Sequence, residues 1–182
     1  MKKLLSGMLL AAVTVLSGAD IFLAGDSTCA SYKAERAPRT GWGQVLPQFC
    51  APGVKVVNLA VSGTSTKSFR ALGYWDKLLG GVKAGDFVVI QFGHNNRSKD
   101  PKRGTTMEQF SLDMTKYVRE VKAKGAFAVL ATPIQERKFA GGKFAGGRDL
   151  TTYARLIHEI AKAENVPVID LNEATGKWIV GL

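Results

Sequence analysis

Three polar strings in this sequence each follow an apolar run, and their residue types suit acyl chemistry. The first is Gly25-Asp26-Ser27-Thr28. A serine presented directly after a buried strand can serve as a nucleophile at the top of a sheet. The second runs from Asn58 through Ser68 and contains Gly63. A glycine there exposes its backbone N–H to a developing oxyanion. The third is Gln91-Phe92-Gly93-His94-Asn95-Asn96. A side-chain amide at a strand end, such as that of Asn95, can donate to the same negative charge. Each string also has a plainer reading. Ser27 could cap a helix, the Gly/Ser/Thr run could be an ordinary polar turn, and His94 with its asparagines could be turn chemistry. His94 shares a turn with Asn95, which favours a structural role over that of a base. The other histidine, His158, falls on the helix after the fourth apolar run, away from these strings, and reads as a helix-face histidine.

The elements around these strings predict how they are positioned. Short apolar runs at Ile21–Ala24, Val54–Ala60, Phe87–Phe92, Ala126–Ala131 and Val166–Ile169 read as buried strands. Continuous rather than alternating apolar runs fit a sheet covered on both faces. Between them lie helical patterns: one capped by Thr40 through Phe49, one over 68–80 broken near Gly73, one from Met107 to Lys124, and one from Thr151 to Glu164. Thr105 and Glu108 match a capping box for the third helix, and Gly125 is its natural stop. Alternating strands and helices predict a parallel, doubly wound, flavodoxin-like α/β/α sheet of five strands in the order 2-1-3-4-5. Ligands in such folds bind beyond the C-terminal ends of the strands, where all three polar strings fall.

Composition is that of one globular domain. The chain has 182 residues, 46% hydrophobic and 22% charged, which excludes disordered, collagen-like and disulfide-dense classes. A net charge of +10 favours anionic partners. No zinc-finger spacing or basic-aromatic tract points to nucleic acid. Lys2 and Lys3 precede an apolar stretch from Leu4 to Leu16, followed by Ser17, Gly18 and Ala19. This is the layout of a secretory signal peptide over residues 1–19, with the domain over 20–182. Removing it lowers the charge from +10 to +8. The expected location is the periplasm or the exterior, with no membrane attachment after cleavage. In such an oxidising compartment Cys29 and Cys50 could pair or stay free.

Together the three strings, with Thr40-Gly41-Trp42-Gly43, Gly85-Asp86 and Val168-Ile169-Asp170-Leu171, closely resemble the SGNH (GDSL-type) esterases. They are most similar to its rhamnogalacturonan acetylesterase-like branch. The resemblance implies that Ser27 is the nucleophile. It also implies an oxyanion hole made by the N–H groups of Ser27 and Gly63 and the side chain of Asn95. No cofactor or metal is implied. Asn96 stands where the family usually has Asp.

The family's Asp-x-x-His segment, whose histidine takes the serine proton, does not occur in this sequence. The resemblance therefore predicts a C-terminally incomplete domain, with Trp178, Ile179 and Val180 forming part of an exposed apolar area. The implied activity is removal of acetyl groups from acidic cell-wall polysaccharide by a monomer, with no nucleic-acid partner. Arg97, Lys99, Lys102 and Arg103, and also Arg137, Lys138, Lys143 and Arg148, would line the approach. The alternatives are a noncatalytic carbohydrate-binding relative, and another activity of the family such as a lipase, thioesterase or xylan deacetylase.

Overall fold

The computed structural model describes residues 18–181. Residues 1–17 of the expected signal peptide lie outside the described residues. The strands are β1 (Ile21–Gly25), β2 (Val56–Asn58), β3 (Phe87–Gln91), β4 (Phe127–Ala131) and β7 (Val168–Ile169), with a short hairpin, β5 (Phe139–Ala140) and β6 (Lys143–Phe144), after β4. The helices are α1 (Trp42–Val45), α2 (Thr66–Ala71), α3 (Tyr74–Gly81), α4 (Met107–Ala123), α5 (Arg148–Glu164) and α6 (Leu171–Val180). The main sheet is parallel in the order β2-β1-β3-β4-β7, as the pattern of runs predicts. Gly25 pairs with Gln91, Gln91 with Ala131, and Ala131 with Ile169. The C-terminal ends of four strands are thus in line.

Side-chain alternation along the strands explains the continuous apolar runs. Phe22, Ala24, Val88, Ile90, Ala128 and Leu130 point into one cluster with Phe69, Trp75, Phe110, Met114, Tyr117 and Tyr153 of α2–α5. Leu23, Val89 and Ala131 point to the other face, against Trp42, Leu46 and Leu171. Right-handed crossovers require this split. The β1-to-β2 connection runs one way along the sheet, and every later connection runs the other way.

Several boundaries differ from expectation. Only Val56–Asn58 of the second run is strand, because Leu59 to Val61 turn across the end of β1. Helix α1 starts after Gly41 with no side-chain cap, so Thr40 has no capping role. Thr106, not Thr105, caps α4 by accepting from the Gln109 N–H. The Gly-rich stretch after β4 folds into the β5–β6 hairpin, its Phe139 and Phe144 rings 6.0 Å apart. Trp178 and Val180 are exposed as expected, but Ile179 is buried. Cys29 and Cys50 are both free thiols.

Candidate active site

Ser27 is half-exposed in a tight turn at the end of β1. Asp26, fully buried, shapes that turn. Its Oδ1 accepts from the Thr28 N–H at 2.9 Å and lies 2.8 Å from the Thr28 hydroxyl. The N–H groups of Cys29 and Ala30 both donate to the Asp26 carbonyl. The Thr28 hydroxyl and Trp42 Nε1 lie 3.0 and 3.1 Å from Gln91 Oε1, linking the turn to β3. Tyr32 donates its hydroxyl to the Ser27 carbonyl at 2.7 Å. Among the described residues, the Ser27 N–H donates to no protein acceptor.

The Thr40–Gly43 string closes over this turn. The Trp42 N–H donates to the Thr28 carbonyl at 2.9 Å. A Cβ on Gly43 would stand 2.5 Å from the Cys29 carbonyl oxygen and 2.7 Å from Leu23 Cδ1. Only a glycine admits that approach. Asn58 completes the enclosure, with Nδ2 donating to the Cys29 carbonyl at 2.9 Å.

The second loop is tied to the first through backbone. The Val61 N–H donates to the Gly25 carbonyl at 2.9 Å, and the Thr64 hydroxyl donates to the Val61 carbonyl at 2.8 Å. Gly63 turns with φ of 85°, in the left-handed region, and its N–H also donates to no protein acceptor among the described residues. Ser65 then caps α2 in reciprocal hydrogen bonds with Ser68.

The third loop is tied to the second. Asn95 Nδ2 donates to the Thr64 carbonyl at 2.8 Å. Asn96 is fully buried, and its Nδ2 donates to the hydroxyls of Thr66 and Thr105 at 2.8 and 3.1 Å. Thr66 in turn donates to Asp113 of α4. The amide of Asn96 therefore anchors the loop, while the orientation of Asn95 is set by Thr64. Ser27, Gly63 and Asn95 thus stand on three loops joined by hydrogen bonds at one edge of the sheet.

Among the described residues, neither histidine hydrogen-bonds Ser27. His94 is half-buried and its Nε2 has no protein partner. Burial pushes its pKa below the ordinary value, and the nearby Asp26 charge opposes that shift. Burial in turn pushes the Asp26 carboxyl up, against the pull of His94 and the Thr28 hydrogen bonds. His158 Nε2 lies 2.7 Å from Asp170 Oδ2. Asp170 also caps α6 through the Glu173 N–H and accepts from the Thr132 hydroxyl. Burial raises the Asp170 pKa, but these hydrogen bonds outweigh it and hold the carboxyl below its ordinary value. This pair sits beyond β7, three strand spacings from β1, or roughly 14 Å at the usual inter-strand distance.

Five of the basic residues expected at the approach fall in two places. Lys102 and Arg103 line a cavity with Gly63. Arg97 instead pairs with Glu136, and Lys138 pairs with the same carboxylate, which ties the base of the β5–β6 hairpin to the third loop. Arg137 stacks on Phe139, its guanidinium 5.4 Å from the ring centre.

The fold and these three loops define an SGNH-type α/β domain. Residues 23–179 match the GDSL-like lipase/acylhydrolase family, and the chain belongs to it. It is 38% identical over 153 residues to rhamnogalacturonan acetylesterase RhgT of Bacillus subtilis (strain 168), covering 83% of this chain and 64% of that protein. It is 34% identical over 158 residues to the probable rhamnogalacturonan acetylesterase YesY of the same strain, covering 84% of this chain and 70% of that one. Among solved structures, the YxiM protein of Bacillus subtilis superposes with a TM-score of 0.77 at 28% identity, covering 90% of this chain and 46% of that one. The acetylxylan esterase Axe2 of Geobacillus stearothermophilus shares the fold, with a TM-score of 0.70 at 21% identity over 91% of this chain and 83% of its own.

Proposed function

We propose that this chain carries the nucleophile and oxyanion hole of a serine esterase that removes acetyl groups from rhamnogalacturonan-like cell-wall polysaccharide. The observation that carries this reading is the hydrogen-bonded chain from Gly25 through Val61 and Thr64 to Asn95. It ties together the three loops that carry Ser27, Gly63 and Asn95. The identity to RhgT and YesY supports the substrate class.

In this reading Ser27 Oγ attacks the acetyl carbonyl carbon, and the carbonyl oxygen becomes an oxyanion. The N–H groups of Ser27 and Gly63 and the second hydrogen of Asn95 Nδ2 receive that charge. Collapse breaks the ester bond, releases the sugar hydroxyl after protonation and leaves acetyl-Ser27. Water then cleaves the acetyl-enzyme to acetate. A base must take the Ser27 proton, since a serine hydroxyl is a weak nucleophile without one. Among the described residues neither His94 nor His158 hydrogen-bonds Ser27, and no Asp-x-x-His occurs in residues 1–182. A second reading is a noncatalytic carbohydrate-binding relative, for which the cations lining the cavity beside Gly63 speak. The leader-like stretch at residues 4–16 supports export, and we infer action as a monomer outside the cytoplasm.

Acetate release from acetylated rhamnogalacturonan, compared between the natural chain and Ser27→Ala, separates the two readings. Serine-dependent release supports the esterase. Saccharide binding with no release from either protein supports the noncatalytic reading.

A further inference from the structure

A cavity of about 690 Å³ opens beside Gly63. One wall is α2 and the turn after it, including Lys67, Leu72 and Tyr74. The other wall is the turn Asp100-Pro101-Lys102-Arg103. The floor is apolar and the rim carries three cations. That combination suits a ring with an apolar face and a carboxylate at its edge.

The cationic wall is built rather than loose. Asp100 Oδ1 accepts the Lys102 N–H at 2.9 Å, and the Asp100 carbonyl accepts the Gly104 N–H at 2.7 Å. The Thr105 N–H donates to the carbonyl of buried Asn96 at 2.9 Å. Lys67 reaches across from α2 to the Pro101 carbonyl at 2.7 Å. Asp100 Oδ2 holds Arg103 Nε at 3.3 Å. This occupies the one carboxylate on the cavity wall and leaves the guanidinium end directed at Gly63. Arg103 Nη1 lies 3.9 Å from the point where a Cβ of Gly63 would stand. Among the described residues, neither Arg103 Nη1 nor Lys102 Nζ has an acidic partner. A guanidinium so placed recognises a carboxylate through charge-assisted hydrogen bonds.

We propose that this cavity is a subsite for a uronate sugar. Arg103 and Lys102 hold its carboxylate, and Leu72 and Tyr74 take its apolar ring face. Gly63 belongs both to the cavity and to the oxyanion hole proposed above. An acetylated sugar at Ser27 would then have an acidic neighbour in the same chain seated here, which favours an acidic backbone over a neutral one. The register between the two sugars rests on the esterase reading; binding of the uronate does not.

The test is a titration of the purified chain with trigalacturonate and, separately, with xylotriose, followed by amide chemical shifts across residues 61–74 and 101–104. Trigalacturonate is expected to shift these amides, with an affinity that falls as salt rises. Arg103→Gln and Lys102→Gln are each expected to weaken it by on the order of tenfold or more, as for loss of a hydrogen bond to a charged group. Xylotriose is expected to leave the amides unmoved. Equal shifts from both sugars, shifts confined to other residues, or wild-type affinity in both variants would overturn the subsite. The esterase reading fails separately, if uronate binds here as described while acetate release never depends on Ser27.

Discussion

Asn95 Nδ2 donates to the Thr64 carbonyl at 2.8 Å, joining the third strand-end loop to the second. An amide nitrogen has two hydrogens. One is spent on Thr64, which fixes the plane of the amide, and the other has no protein acceptor among the described residues. The residue proposed as an oxyanion donor is therefore also a brace between loops.

Replacing Asn95 separates those two roles. Asn95→Ala removes the donor and is expected to lower acetate release by ~10²–10³, the usual effect of losing one such donor. It also leaves the Thr64 carbonyl unpaired, at a cost of about 1–3 kcal/mol in stability. Asn95→Asp sets a carboxylate against that carbonyl and is expected to destabilise more at pH 7 than at pH 4. Thermal melts beside acetate assays check both. A variant with an unchanged melt and unchanged release would remove Asn95 from the site.

Two glycines of the site should fail for different reasons. Gly43→Ala forces a Cβ to within 2.5 Å of the Cys29 carbonyl oxygen. The backbone of the serine turn must shift, so both stability and Ser27 reactivity are expected to fall. Gly63→Ala meets no atom closer than Arg103 Nη1 at 3.9 Å, but keeps a left-handed φ of 85°. Its expected cost is conformational, about 1–2 kcal/mol. Chemical denaturation ranks the pair, and a larger loss for Gly63→Ala than for Gly43→Ala would contradict this geometry.

Buried Asp26 and half-buried His94 together predict a pH response. Burial depresses His94, helped by Arg97 and Lys138 and opposed by Asp26. Below the ordinary histidine pKa of about 6.5 the unfolded chain takes up a proton before the folded chain does, so stability is lost as pH falls through that region. Asp26, raised by burial, acts in the opposite sense. The folded chain binds its proton first, so Asp26 costs stability as pH rises through its titration. His94→Gln removes the first effect and also lifts the pull of His94 on Asp26, which acts in the same direction. Its melting temperature at pH 5, relative to pH 7.5, is expected to exceed the wild-type difference. Identical pH slopes would show that His94 does not titrate with folding.

Much of this arrangement was legible in the residues, and the parts that were not have physical reasons. Phe87–Phe92 reads as a buried strand because both faces of the sheet are covered, and Phe110, Met114, Tyr117, Val118 and Val121 declare the buried face of α4 by their spacing. The cap of α4 was misplaced by one residue because Thr105 and Thr106 offer the same hydroxyl. The β5–β6 hairpin has strands of two residues each, too short for any period to register. Ser27, Gly63 and Asn95 stand out by type and position. The bond from Asn95 does not, since its acceptor is a backbone carbonyl 31 residues away. Nor does the reach of Arg103 to Gly63, which depends on how Asp100 folds its own turn.

Exogenous imidazole offers the most direct test of what Ser27 can do. Ser27, Gly63 and Asn95 stand on loops joined by hydrogen bonds, and among the described residues no histidine hydrogen-bonds Ser27. Residual catalysis from an oxyanion hole alone is ~10³-fold over water. A positioned base has an effective molarity of about 10⁵–10⁸ M, so imidazole at roughly 0.1 M recovers only a small part of that advantage. Acetate release by the 182-residue chain is therefore expected to rise linearly with imidazole, without saturating, and to follow the neutral form of imidazole as pH increases. Ser27→Ala should show only the slow background of imidazole with the ester. If the two proteins respond alike, Ser27 is not the nucleophile. If neither responds while trigalacturonate still binds, the chain is a carbohydrate-binding member of its family.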